Sequence, residues 1–200
     1  MTKGDETKSA VLARGISLAT KVGLTGVTIG KLADEVGMSK SGLFAHFSSK
    51  ENLELAILEE AINRFIALVV TPAFKKPRGE PRLRALFESW LAWSKLEFMP
   101  GGCIFVVAGV ELDDRPGPAR DRYVASQRDW LSTLAGAARI AIEEKQFRKE
   151  LDVEQVAHEI FSIAYGYHFA RKVVDPKLAE KRARAAFDRV IDDARLTTTR

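Results

Sequence analysis

The chain is poor in the features that define several protein classes. It has one cysteine, Cys103, so no intrachain disulfide can form and a disulfide-stapled secreted scaffold is excluded. No apolar run approaches the roughly 20 residues of a membrane-spanning helix, so no membrane partner is expected. The first ten residues, MTKGDETKSA, lack the apolar centre of a secretory leader, and a cytoplasmic protein is the expectation. Internal repeats and low-complexity tracts are absent, and no strand-like alternation lasts long enough to build a sheet.

What remains is ordinary globular material, 46% hydrophobic and 29% charged, long enough for one large domain or two small ones. The net charge of +4 is unevenly placed. Lys3, Lys8, Arg14, Lys21, Lys31, Lys40 and Lys50 outnumber Asp5, Glu6, Asp34 and Glu35, so the first 50 residues hold most of the excess. A solvated lysine surface accounts for this, and it is weak support for a polyanion partner.

Nearly every segment repeats at helical period, which makes the chain all-α. A first helix is expected over 6–22, with Val11, Gly15, Leu18 and Val22 on one side and Gly23 at its end. Thr28 is a good N-cap for a short second helix whose inner face is Ile29, Leu32, Ala33 and Val36, with Gly37 ending it. Ser39 caps a third, with Leu43 and Phe47 inward. Ser48 to Glu51 has the pattern of a capping box opening a fourth helix that runs to Val70. The proline-rich stretch 71–81 then breaks the chain. Further helices are expected over 81–98, 103–113, 118–144, 153–174 and 176–194, with Thr197–Arg200 frayed.

Helix, glycine turn, helix is a helix-turn-helix layout. Ser39, Lys40, Ser41 and Gly42 put small polar groups and a cation at a helix N-terminus, where unpaired N–H groups and the helix dipole favour phosphate. Gly42 inside a helix costs about 1 kcal/mol against alanine. Close approach of another molecule's backbone and a tight contact with the second helix both account for it, and the sequence leaves the two open.

The stretch "TIGKLADEVGMSKSGLFAHFSSKENL", Thr28 to Leu53, resembles the DNA-binding motif of the tetracycline-repressor (TetR) family, and "GLTGVT" before it agrees. The segments "GGCIF" and "ELDDRPGP" are similar to one branch of that family's variable C-terminal region. The resemblance implies an N-terminal three-helix DNA-binding domain over 5–65, with its motif at about 28–47. A long helix would join it to an all-helical ligand-binding and dimerisation domain over 66–200. It implies that Thr28 touches phosphate, that Lys40, Ser41 and Gly42, just past the cap Ser39, meet base edges, that Phe44, Ala45 and His46 lie where the next turn meets bases and backbone, and that Lys50 grips phosphate. Two positions depart from the family. Phe44 stands where tyrosine is usual and has no hydroxyl to bond a phosphate. Gly30 stands where some relatives carry a base-reading side chain. Base readout is therefore expected from Lys40, Ser41 and His46. Taken singly, His46 reads as a surface residue, Lys40 and Lys50 as solvated charges, and Phe44 as core.

In the larger region, apolar residues go nearly all the way round 160–169, and a small-residue stripe runs through Ala179, Ala183, Ala186, Phe187, Val190 and Ala194. Two buried faces call either for a homodimer's four-helix bundle or for the monomer's own core; the resemblance favours the dimer. Trp90, Trp93, Phe98, Phe105, Tyr123, Trp130 and Tyr165 are candidates to line an effector pocket, and equally ordinary core aromatics. Glu111 would either end that pocket or reach solvent. Cys103 sits at a helix start, where a thiolate is favoured, or is a small buried hydrophobe. Asp113 and Asp114 read as a polar helix end, and Glu154 with His158 makes too few ligands for a metal. No cofactor and no metal site are expected. No nucleophile–base arrangement or phosphate-cradling loop supports catalysis, so no enzyme is expected.

Three functions stand at this point. The first, which the resemblance implies, is a transcriptional regulator that binds a palindromic duplex operator as a homodimer and, acting as a repressor, is released by a small-molecule effector. The second is a protein of the same fold acting in chromosome organisation or cell division. The third is an enzyme using the helical pocket.

Overall fold

The computed structural model describes residues 3–195; the expected frayed tail Thr197–Arg200 lies outside them. The described residues are helical with short connections: α1 (Lys3–Val22), α2 (Ile29–Val36), α3 (Lys40–Phe47), α4 (Lys50–Phe65), α5 (Thr71–Phe74), α6 (Glu80–Trp93), α7 (Ile104–Leu112), α8 (Pro118–Glu143), α9 (Val153–Phe169) and α10 (Ala179–Ala194). Two π-helical turns, Ile66–Val70 and Ala170–Val174, follow α4 and α9. Among the described residues there is no strand, only an isolated bridge between Phe147 and Arg195. No described helix is long and apolar enough to cross a membrane.

The chain forms two compact units, one holding the residues through Phe65 together with Lys95–Ser126, the other Ile66–Ser94 with the residues from Gln127 on. The first division falls after Phe65. Residues 95–126, expected in the second domain, group with the first instead.

In the first unit, α1 packs against α2, α4 and α7, and α3 packs against α2 and α4. Ile16, Ala19, Leu24, Leu32, Leu43, Leu53 and Ile57 are fully buried, one apolar centre fed by every helix of the motif. Gly15 lets α1 and α4 close up, since a Cβ there would lie 2.8 Å from the Ile57 side chain. Residues 95–126 join through specific contacts. Gly101 N–H donates to Thr20 Oγ1 at 3.0 Å, and a Cβ on Gly101 would overlap the Thr20 carbonyl. Arg122 forms a two-pronged bond to Glu59 at 2.6 and 3.1 Å. Such forked guanidinium–carboxylate pairs fix orientation as well as adding attraction.

The fourth helix does not stop at the proline-rich stretch. It continues through the π turn into α5, with Pro72 inside the continuous run. A proline lacks the N–H for its i−4 bond, and its ring collides with that carbonyl. The wider π turn just before it inserts an extra residue and relieves both problems.

In the second unit, α9 packs on α10 and α6. Phe87 and Phe187 stack at 4.0 Å with nearly parallel rings, and Trp90 meets Tyr167 edge-on at 6.1 Å. The all-round apolar reading of α9 resolves into two sides. Val156, Ala157, Ile160, Ala164 and Tyr167 are buried, whereas Phe161, Ile163 and Tyr165 are half-exposed and Phe169 is exposed. On α10, Ala179, Ala183, Phe187, Ile191 and Ala194 are buried, while Ala186 and Val190 line a surface groove with Ser162 and Ile163 of α9.

Candidate nucleic-acid interface

The interface is built from caps. Thr28 Oγ1 accepts from Lys31 N–H at 3.1 Å and starts α2. Gly37, at φ 68°, turns the chain out of α2 in the left-handed region that favours glycine, and its N–H returns to the Ala33 carbonyl. Two residues later Ser39 Oγ accepts from Gly42 N–H at 3.1 Å and starts α3, with Ser41 Oγ 3.3 Å away. Gly42 is explained by this cap: an added Cβ would come within 3.0 Å of Ser39 Oγ, and helix two supplies none of its near neighbours. The tight contact with α2 offered by the sequence is therefore not what holds a glycine there.

The end of α3 differs from expectation. Ser48 does not open the capping box. It closes α3 in the left-handed conformation at φ 63°, its N–H donating to the Phe44 carbonyl at 2.7 Å. The cap of α4 falls one residue later, where Ser49 Oγ accepts from Asn52 N–H at 3.0 Å. A serine used to leave one helix cannot also present the extended backbone an N-cap needs.

These caps sort the motif into two faces. Leu43 and Phe47 are buried. Thr28, Ser39, Lys40, Ser41, Phe44, His46 and Lys50 are exposed, and Gly42 is half-exposed. Phe44 is 52% exposed, which removes its reading as core. Gly30 leaves open the space that Lys40 crosses, since a Cβ at Gly30 would lie 3.4 Å from Lys40 Cε and 3.7 Å from its Nζ. Lys50 Nζ lies 3.5 Å from Glu54. Burial raises the Glu54 pKa above the ordinary carboxylate value despite the pull of Lys50. Lys31 is exposed in the first turn of α2, three residues past Thr28, and was not singled out from sequence. Its place one turn from the cap was the available signal. The surface therefore offers hydroxyls, ammonium groups, an imidazole and two helix N-termini, the groups that meet phosphates and base edges.

The effector candidates fall in two groups. In the first unit Phe105 meets Phe65 edge-on at 5.4 Å and its carbonyl accepts from Tyr123 Oη at 2.9 Å, while Phe98 lies 5.3 Å from the Arg64 guanidinium carbon. In the second, Trp90, Trp93 and Trp130 are buried and Tyr165 is half-buried against Phe161 at 4.5 Å. Glu111 is used elsewhere than in pocket lining. It accepts from Thr25 N–H at 3.2 Å, and its carboxylate fills the space a Cβ on Gly23 would need. It braces the α1–α2 corner. Tyr167, not picked from sequence, is buried and its hydroxyl has no hydrogen-bond partner. Asp113 accepts locally, from Asp114 N–H and through its carbonyl from Arg120. Among the described residues no three His, Cys, Asp or Glu side chains gather as metal ligands would.

Comparison with known proteins agrees with this geometry. The family model described as bacterial regulatory proteins, tetR family, matches residues 11–57, and one described as tetracyclin repressor-like, C-terminal domain, matches residues 79–187. No curated protein matches the sequence. A TetR transcriptional regulator from Chloroflexus aurantiacus J-10-FL superposes with a TM-score of 0.88 at 23% identity, covering 98% of this chain and all of its own. A TetR-family regulator from Cytophaga hutchinsonii gives 0.84 at 15% identity over 99% of both chains. AibR, solved with isovaleryl coenzyme A and operator DNA, gives 0.74 at 18% identity, covering 94% of this chain and 99% of its own.

Proposed function

The chain belongs to the tetR family of bacterial regulatory proteins, and from that premise we propose that it is a cytoplasmic repressor that binds a palindromic operator as a homodimer and leaves it on binding a small molecule. The observation that carries this reading is the sorted motif. Its apolar residues complete a core without help from Lys40, Ser41, His46 or Lys50, all of which are exposed. Thr28 and Lys50 would hold phosphates and set the register. Lys40, Ser41 and His46 would read bases, lysine favouring guanine O6 and N7 in the major groove.

A second copy is the occupant proposed for the groove along Ile163, Ala186 and Val190, where small residues let helices approach closely. Two matched heads then require an imperfect palindrome with half-sites about one DNA turn apart. The effector would lie among Trp90, Trp93, Trp130 and Tyr165; that AibR was solved with isovaleryl coenzyme A and operator DNA supports a small-molecule effector. The coupling between the two ligands is expected at about 1–3 kcal/mol, and it must be reciprocal. The family and its structural relatives are regulators, which supports a role other than catalysis.

Selection from a random duplex pool tests the reading. The expected winner is a two-fold symmetric sequence bound well above the unselected pool. A protein that enriches no sequence, or enriches single half-sites only, contradicts it.

A further inference from the structure

Phe44 is the one large apolar side chain between residues 28 and 50 that stands in solvent. Its chain neighbour Leu43 is fully buried and Phe47 nearly so, so the core is closed without it. The reason for a phenyl ring on this surface must lie outside the fold. Phe44 is four residues from Lys40 and three from Ser41 on α3, spacings that place the three side chains on one stripe. Ala45, exposed as well, adjoins that stripe. A phenyl ring can bond neither a phosphate oxygen nor a base edge by hydrogen bonding. Its available contribution in a major groove is apolar contact, and among the four bases only thymine presents an apolar group there, the C5-methyl.

We propose that Phe44 reads a thymine C5-methyl group in each half-site of the operator. The inference rests on α3 being the helix that enters the groove. It adds an apolar element to a recognition surface that is otherwise polar and cationic.

Deoxyuridine provides the test, because it keeps every hydrogen-bonding group of thymidine and lacks only the methyl. The duplex selected by the wild-type protein is resynthesised with each symmetric thymine pair changed to deoxyuridine. Affinity is then measured for the wild type, Phe44→Ala and Phe44→Tyr. One pair is expected to weaken wild-type binding by about 4-fold per methyl, or about 15-fold for the two half-sites, the worth of one buried methyl each. Phe44→Tyr keeps the ring and should keep that sensitivity, while Phe44→Ala should bind both duplexes equally. Thermal unfolding of Phe44→Ala should match wild type, since the ring is not in the core. Wild-type affinity indifferent to every deoxyuridine pair overturns the inference and leaves the regulator reading intact. So does a sensitivity that survives in Phe44→Ala. A Phe44→Ala protein that binds no duplex at all also overturns it, because a methyl contact does not carry the phosphate-borne affinity. If no sequence is enriched in the first place, the regulator reading itself fails.

Discussion

In the unit that begins at Ile66, arginines sit against carboxylates. Arg84 bonds Glu80 and Asp188, each at 2.8 Å, Arg195 bonds Glu80 at 2.6 Å, and Arg184 bonds Glu180 and Glu88. On the α2–α3 surface of the other unit, Lys40 forms no ion pair among the described residues and crosses an open glycine, and Lys50 pairs loosely, at 3.5 Å, with the half-buried Glu54 one turn along its own helix. A cation that holds a fold together is oriented by acids around it. A cation that must meet phosphate or guanine is left unpaired or loosely paired, because a close partner would have to be displaced each time DNA arrived. The glycines do not divide by unit. A Cβ on Gly101 of the first or Gly79 of the second would collide with its neighbours, whereas Gly37 of the first and Gly136 and Gly166 of the second have nothing within 4 Å of a would-be Cβ.

The largest break in this contrast is expected from Gly101→Ala. The new methyl meets backbone, the Thr20 carbonyl, and cannot be accommodated by a rotamer change. Loss of about 4 kcal/mol or more is expected in urea unfolding, at the diagnostic end of single substitutions.

Glu80→Gln should come next, at about 2 kcal/mol, between the values for surface and buried pairs. Burial opposes ionisation of this side chain, which is only 14% exposed, but hydrogen bonds from Arg195 and Arg84 win, and its pKa lies below the ordinary value of 4.5. Its contribution is thus complete above the unfolded pKa and lost as pH falls through the lower folded one. Wild type should lose stability faster than Glu80→Gln on acidification below about pH 4.5, and the two unfolding curves should converge. Parallel curves would remove Glu80 from the network's account.

The smallest effect has the opposite sign. Gly136→Ala, in mid-helix with open space around it, should stabilise by about 0.5–1 kcal/mol. A destabilised variant would show that this face of α8 is covered in solution.

Legibility in the sequence followed the same division. Thr28, Gly37 and Ser39 are local signals whose geometry is fixed within four residues, and the structure has all three at the caps read for them. The end of α3 was missed because two successive serines can each cap, and only the closing turn decides which one does. The run of helix past Pro72 was missed because a proline normally stops a helix, and the π turn that accommodates it has no sequence signature. The grouping of 95–126 with the first unit depends on contacts some 80 residues apart, such as Gly101 to Thr20 and Glu111 to Thr25, which no periodicity reveals. Glu111 was expected to end a pocket or reach solvent, yet side-chain length let its carboxylate reach the Thr25 N–H.

The central claim is that the exposed cations of the motif divide into one that grips phosphate and one that reads a base. Binding of the selected duplex and of a random duplex by wild type, Lys50→Ala and Lys40→Ala tests it most directly. Lys50→Ala should weaken both duplexes by similar factors and lower the salt dependence of each. Lys40→Ala should cost the selected duplex about 1–3 kcal/mol per half-site, relax preference at one symmetric pair of positions, and affect the random duplex far less. Equal losses on both duplexes for Lys40→Ala, or a changed base preference for Lys50→Ala, would contradict the account.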